Sequence, residues 1–200
     1  MDENRGRSST GGIAVLVVDV QDGAVALGPY CGEVVIDNIV KLIAASRAAG
    51  VEVIYVQHDG EPGEELAPGS KGWEIHAAVR PESEERIVRK RFNSAFRETD
   101  LQLYLEERGI GTLILVGMQT EYCIDTTCRV AFENGFAVVM PEMTNTTYDN
   151  GELTARQIYE YHNRRIFEGR FATLRSMSET LRVIGSGGDF SSLGTQKPPS

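Results

Sequence analysis

Short apolar runs alternate along this chain with longer amphipathic stretches. Ile13–Asp19 (IAVLVVD) is apolar up to its closing acid, the pattern of a strand covered on both faces. From Glu33 to Ala49 the apolar residues Val34, Val35, Ile39, Leu42 and Ile43 recur at helical spacing, and Gly50 follows as a stop. Val51–Gln57 predicts a second strand and Arg86–Lys90 a shorter third. Thr99 predicts a helix cap, with Gln102 three residues on completing a capping box, and Gly109 ends that helix. Thr112–Val116 (TLILV) predicts a fourth strand. Thr120–Asn134 predicts a helix with Thr120 as its N-cap, ended by Gly135. Phe136–Met140 predicts a fifth strand, Glu152–Phe167 a helix and Phe171–Leu174 a last strand.

Strands alternating with helices imply an α/β fold of three layers, α/β/α. Its sheet is a mostly parallel, doubly wound (Rossmann-like) one of about six strands. The 200 residues suit one domain. Residues 13–184 carry the alternation, while 1–12 and 185–200 read as flexible tails rich in Gly, Ser and Pro or charge. Gly60–Pro81 breaks the pattern: it is rich in Gly and Pro and holds the chain's single Trp. A stretch of that length reads either as a lid or as a surface excursion with a short helix around Trp73–Val79.

Composition narrows the function classes. Hydrophobic residues make up 41% and charged residues 24%, as in ordinary globular domains. The net charge of −9 disfavours nucleic acid and anionic membrane surfaces, which require a basic footprint. The run Ile13–Val18 is far too short to span a bilayer. Met1–Gly12 is polar and lacks an apolar signal core, so a cytoplasmic protein is expected. The three cysteines, Cys31, Cys123 and Cys128, form no CxxC and no zinc-ligand spacing. No GxGxxG or GxxxxGK[ST] opens a helix after a strand, which disfavours nucleotide binding.

In open parallel sheets, ligands bind beyond the carboxyl ends of the strands. At those ends stand Asp19 with Gln21 and Asp22, then Gln57 and His58, then Lys90, then Gly117–Cys123. The topology therefore brings an acid, a cation and a thiol to one rim, a plausible catalytic set. With Thr120 as N-cap, Cys123 occupies the third helical position. The helix dipole and Lys90 would both lower the thiol pKa, and Asp19 would accept the thiol proton. Cys128 and Cys31 read as small buried hydrophobes. Gln21, His58, Trp73, Phe96 and Tyr122 are candidate substrate contacts by position, with Tyr148 behind them. His58 reads as a substrate hydrogen-bonder or as a satisfied loop residue. Trp73 reads as a pocket cap or as an anchor for a subunit contact.

Three motifs carry a resemblance. Val17-Val18-Asp19-Val20-Gln21 is the first. Lys90 followed by Ser94-Ala95-Phe96 and Thr99-Asp100-Leu101 is the second. Gly117-Met118-Gln119-Thr120-Glu121-Tyr122-Cys123-Ile124, with Thr127, Arg129, Ala131 and Gly135, is the third. In order and spacing they resemble the isochorismatase-like cysteine hydrolase superfamily, which includes nicotinamidases and N-carbamoylsarcosine amidohydrolases. The resemblance implies Cys123 as nucleophile, Asp19 as general base and then acid, and Lys90 as the charge that stabilises the thiolate. It further implies a cis Met118–Gln119 peptide, and an oxyanion hole made of the Gln119 and Cys123 amides. A homo-oligomer, dimer or tetramer, is implied as well.

The departures are informative. Nicotinamidases of this superfamily carry an Asp-x-His metal motif after the second strand. Here the stretch is Gln57-His58-Asp59-Gly60, with His58 at the Asp position and Gly60 at the His position. One ligand does not make a metal site, so no metal and no cofactor is expected. Isochorismatases proper lack the nucleophilic cysteine. Cys123 thus favours hydrolysis of a C–N bond in a small amide, lactam, ureido or carbamoyl compound. The GMQTEYC run and the Gln57–Gly60 stretch look like the streptothricin-hydrolase type. The competing readings are hydrolysis of a vinyl ether or ester, and a non-catalytic small-molecule binding module on the same fold.

Overall fold

In a computed structural model, which describes residues 12–186, seven strands form one sheet and every pairing between them is parallel. They are β1 (Gly12–Val18), β2 (Glu52–His58), β3 (Arg86–Lys90), β4 (Ile110–Met118), β5 (Ala137–Pro141), β6 (Asn145–Thr146) and β7 (Thr173–Arg175). Their order is β3-β2-β1-β4-β5-β7, with the short β6 beside the end of β4. The chain winds outward from β1 to β3, then crosses back to β4. The switch point therefore lies between β1 and β4, where open parallel sheets leave a crevice beyond the strand ends.

The helices are α1 (Asp22–Ala26), α2 (Gly32–Ala49), α3 (Leu101–Glu107), α4 (Asp125–Glu133), α5 (Ala155–Tyr161) and α6 (Met177–Gly185). Alternation along β1 divides the core. Leu16 and Val18 pack with Leu101 and Leu105 of α3 and Cys128 and Ala131 of α4. Val15 and Val17 pack on the other face with Ile39, Leu42 and Ile43 of α2 and Val183 and Ile184 of α6. Both faces of β1 are buried, which explains its unbroken apolar run. The fold is the expected three-layer α/β/α one.

Several local expectations need correction. The α3 helix starts at Leu101, and Asp100 precedes it without a side-chain cap. Thr99 Oγ1 accepts from Leu101 N–H at 3.4 Å and donates to the Ala95 carbonyl at 2.7 Å, while the Gln102 side chain meets Glu106 and Asn134. No capping box forms there. The helix expected from Glu152 begins at Ala155, where Thr154 and Gln157 do form one. The sequence reading missed α1, β6 and α6. The signal for α6 was present, because Ser176 and Glu179 make a capping box ahead of an apolar stripe. Val34 is exposed, and Cys31 is exposed at the N-cap of α2 in a left-handed conformation, not a buried hydrophobe. The expected tails lie outside the described residues, except that Gly12 opens β1 and Gly185 closes α6. Among the described residues no helix is long and apolar enough to cross a membrane.

Gly60–Pro81 has no α-helix. Its helical content is a single 3-10 turn at Ala77–Val79. Its second half is tied to the strand ends: Gly23 N–H donates to the Gly72 carbonyl at 2.8 Å, Asp22 N–H to Glu74 at 2.9 Å, and His76 N–H to Val20 at 2.9 Å.

Candidate active site

Asp19 ends β1. Its φ of 53° lies in the left-handed region, which Asp tolerates better than most residues. The turn follows a last sheet bond, from Asp19 N–H to the Val56 carbonyl at 2.9 Å. Lys90 ends β3, and its buried Nζ donates to Asp19 Oδ2 at 2.6 Å and to Cys123 Sγ at 3.2 Å. His58, which ends β2, faces the same ammonium with Nδ1 at 3.3 Å. Three strand ends and the segment after β4 thus converge on one ammonium. Among the described residues Asp19 Oδ1 is buried and has no hydrogen-bond partner, which leaves an acceptor beside the thiol.

Cys123 sits on a π-helical turn, Thr120–Ile124, that runs into α4. The Ile124 N–H reaches back five residues to the Gln119 carbonyl at 3.1 Å. Turns of this wide type recur at functional sites, since they re-aim side chains. Thr120 is not the N-cap, contrary to expectation. Gln119 holds that place, and the Thr120 hydroxyl turns to Asn145 Oδ1 at 2.8 Å. Asn145 and Asn163 then exchange amide hydrogen bonds at 2.9 and 3.0 Å, which anchors the turn from below. The Met118–Gln119 peptide is cis. Gly117 has φ 122°, and a Cβ there would lie 2.0 Å from the Val18 carbonyl oxygen, so only glycine lets β4 approach β1 this closely.

The electrostatics correct another expectation. The Cys123 thiol is pushed up to about 12, first by burial and then by the Asp19 charge, with Lys90 acting in the opposite direction. Burial and the neighbouring carboxylate outweigh the helix end and the ammonium, so the resting sulfur is a thiol. Burial also works against the Lys90 ammonium. Asp19 and Cys123 outweigh it and hold Lys90 above its ordinary value. His58 is lowered by burial and then by Lys90, so it stays neutral and accepts from the ammonium.

The remaining candidates divide. Gln21 is fully buried; it donates to the His58 and Trp73 carbonyls at 3.0 and 2.9 Å and accepts from His58 N–H at 2.9 Å. Its amide is committed to joining β1, β2 and the Gly60–Pro81 segment. Gln57 also donates to the Trp73 carbonyl, at 2.8 Å. Trp73 is half-buried, with Nε1 donating to Asp59 Oδ1 at 2.9 Å and Arg89 over its ring. Phe96 stacks on Phe136 and packs against the core. Tyr122 is exposed and accepts from Asn150 at 2.8 Å. The Tyr148 hydroxyl donates to the Ala24 carbonyl and is raised to about 12 by burial. The sequence reading missed Asn93. Its exposed side chain holds Oδ1 3.9 Å from Cys123 Sγ, and its place three residues after Lys90 was the available signal. Among the described residues no group of three or more His, Cys, Asp or Glu could hold a metal ion.

The isochorismatase domain model matches residues 13–164, a span that contains all three members of the Asp19–Lys90–Cys123 cluster. The chain belongs to the isochorismatase family. It is 39% identical over 138 residues to a streptothricin hydrolase of Streptomyces noursei, covering 68% of this chain and 50% of that protein. It is 28% identical over 157 residues to the ureidoacrylate amidohydrolase RutB of Acinetobacter baylyi, covering 60% of this chain and 64% of that one. The chain thus spans about half the length of the streptothricin hydrolase it matches. A crystal structure of a cysteine hydrolase from Pseudomonas syringae pv. phaseolicola 1448A superposes with a TM-score of 0.80 at 28% identity. That match covers 94% of this chain and 100% of that one. The fold is that of isochorismatase-family hydrolases.

Proposed function

We propose that this family member is a cysteine hydrolase that cleaves a C–N bond of a small molecule through a thioester intermediate. The observation that carries the reading is the buried cluster in which one Lys90 ammonium contacts both Asp19 and Cys123. A thiol that rests protonated needs a base at the moment of attack, and the unpartnered Asp19 Oδ1 supplies one. In this reading the Cys123 proton moves to Asp19 as sulfur bonds to the substrate carbonyl carbon. The Gln119 and Cys123 amides hold the oxyanion, and one such donor is typically worth about 2.7–4 kcal/mol in the transition state. Collapse breaks the C–N bond, and Asp19 returns the proton to the leaving nitrogen. Water then attacks the thioester and gives a proton to Asp19, the C–S bond breaks, and the proton returns to sulfur. Lys90 holds the developing thiolate throughout. His58 keeps the ammonium in place as a neutral acceptor. No metal or cofactor enters these steps. Similarity to a ureidoacrylate amidohydrolase supports the C–N bond over a vinyl ether or ester. We also propose that the protein works as a homo-oligomer.

The test is a panel of small amides, lactams, ureido acids and carbamoyl compounds, with esters and a vinyl ether beside them. Release of ammonia, amine or alcohol is scored, and hydroxylamine is added to trap an acyl-enzyme. Amine or ammonia release, hydroxamate formation, and loss of both in a folded Cys123→Ala protein are the expected results. Turnover retained without the thiol would overturn the reading, and alcohol release alone would move it to the ester branch.

A further inference from the structure

We infer that the cleft beside Lys90 is an anion site, and that the molecule presented to Cys123 carries a carboxylate or similar anionic group. This rests on the proposed site and adds to it the charge class of its substrate. The cleft encloses about 200 Å³ and is lined by Asp59, Arg89, Lys90, Arg91, Phe92, Arg97 and Glu98. The Lys90 side chain is fully buried, so the cleft presents three cationic side chains and two anionic ones, in a chain whose net charge is −9. The pairing among them is uneven. Asp59 is already neutralised by Arg89 at 2.9 Å and receives the Trp73 Nε1 hydrogen bond as well. Lys90 is satisfied inward by Asp19. Glu98 lies 3.9 Å from Arg97, at the limit of an ion pair, and the Arg97 guanidinium stacks on Phe92. Arg91 is exposed, and among the described residues its side chain has no partner. Positive charge is therefore left over at the mouth, on guanidinium groups whose forked donors suit a carboxylate.

The cleft and the thiol are neighbours at the end of β3. Lys90 is among the cleft's lining residues while its fully buried side chain contacts Cys123, and Asn93, next to the cleft residue Phe92, reaches within 3.9 Å of Cys123 Sγ. An anion held by Arg91 and Arg97 would leave the rest of a small molecule near the sulfur. A cleft lined by one sign of charge raises the local concentration of oppositely charged ligands by roughly 10–10³-fold, and the two acids in this lining hold the effect to the low end of that range. The cleft's openness to solvent acts in the same direction.

Two readouts test the inference without any turnover. The chain's single Trp, Trp73, lies under Arg89, which lines the cleft. Its fluorescence is followed as sodium acetate replaces sodium chloride at constant ionic strength. A saturable change that disappears in Arg91→Gln/Arg97→Gln is expected. Second, Cys123 is alkylated with anionic iodoacetate and with neutral iodoacetamide, and each cysteine is read by peptide mass spectrometry. In both reactions a C–S bond replaces the C–I bond and iodide leaves. The iodoacetate-to-iodoacetamide rate ratio at Cys123 is expected to exceed that at exposed Cys31 by about tenfold. It should fall towards the Cys31 value in the double variant, while Lys41→Gln, a charge change on α2, leaves it unaltered. A flat fluorescence titration together with equal ratios would overturn the anion site. Saturable acetate binding with equal ratios would overturn its service to the thiol. A high ratio in a protein that hydrolyses nothing would uphold the anion site and sink the hydrolase reading instead.

Discussion

At the scale of the residue, the site works by opposing charges around one sulfur. Asp19 and burial raise the Cys123 thiol, and Lys90 lowers it. The same arithmetic applies to any new charge nearby. Asn93 holds a neutral oxygen 3.9 Å from the sulfur. Asn93→Asp places a second carboxylate there, so the thiol pKa is expected to rise further and alkylation at fixed pH to slow severalfold. A rate unchanged by this variant would mean that Asn93 does not face the sulfur. The convergence of Asp19, Lys90 and Cys123 was legible in the sequence because each stands at a strand end or in a motif of fixed spacing. The direction of the thiol shift was not. It depends on how deeply the sulfur is buried and on how close Asp19 lies, and neither is written in the order of residues. Gln21 shows the same limit: its position at the rim was readable, but its three hydrogen bonds to backbone were not.

Secondary-structure elements set those distances. Gly117 allows β4 to lie against the end of β1, and Gly117→Ala would press a Cβ onto the Val18 carbonyl at positive φ. The expected cost is more than about 3 kcal/mol in urea denaturation, or failure to fold. A near-native midpoint would show that the strands can separate at that point. On the far side of the sheet, Ser176→Ala removes the cap of α6 and should cost about 1 kcal/mol in the same assay. The α6 helix escaped the sequence reading because it closely follows a three-residue strand at the edge of the fold. The Thr99 capping box failed for a different reason: a Thr–x–x–Gln pattern does not reveal that the Gln102 side chain turns to Glu106 and Asn134. The central strands were the most legible elements, since burial on both faces leaves no room for polar residues.

For the whole molecule, the doubly wound order places the switch point between β1 and β4 and brings β2 and β3 alongside. That arrangement gathers residues 19, 58, 90 and 123 from four separate parts of the chain. The Gly60–Pro81 segment is fastened to the same rim through Gln21 and Gln57. Gln21→Leu strips the bonds from the His58 and Trp73 backbone groups and should destabilise the fold by about 2–4 kcal/mol, read by thermal or urea unfolding. A loss of turnover without loss of stability would instead mark Gln21 as a substrate contact, as its position first suggested.

The central claim is that Asp19, Lys90 and Cys123 act as one electrostatic unit. The most direct test is the rate of iodoacetamide alkylation at Cys123, measured from about pH 6 to about pH 11 beside a short blocked cysteine peptide, whose thiol titrates near the ordinary ~8.5. Wild type, Asp19→Asn and Lys90→Met are compared. The wild-type rate should still be rising where the free thiol has levelled, because the folded protein holds the proton. Asp19→Asn removes the opposing negative charge, so its midpoint should move down. Lys90→Met removes the stabilising cation, so its midpoint should move up. Three coincident profiles that match the blocked peptide would contradict the account.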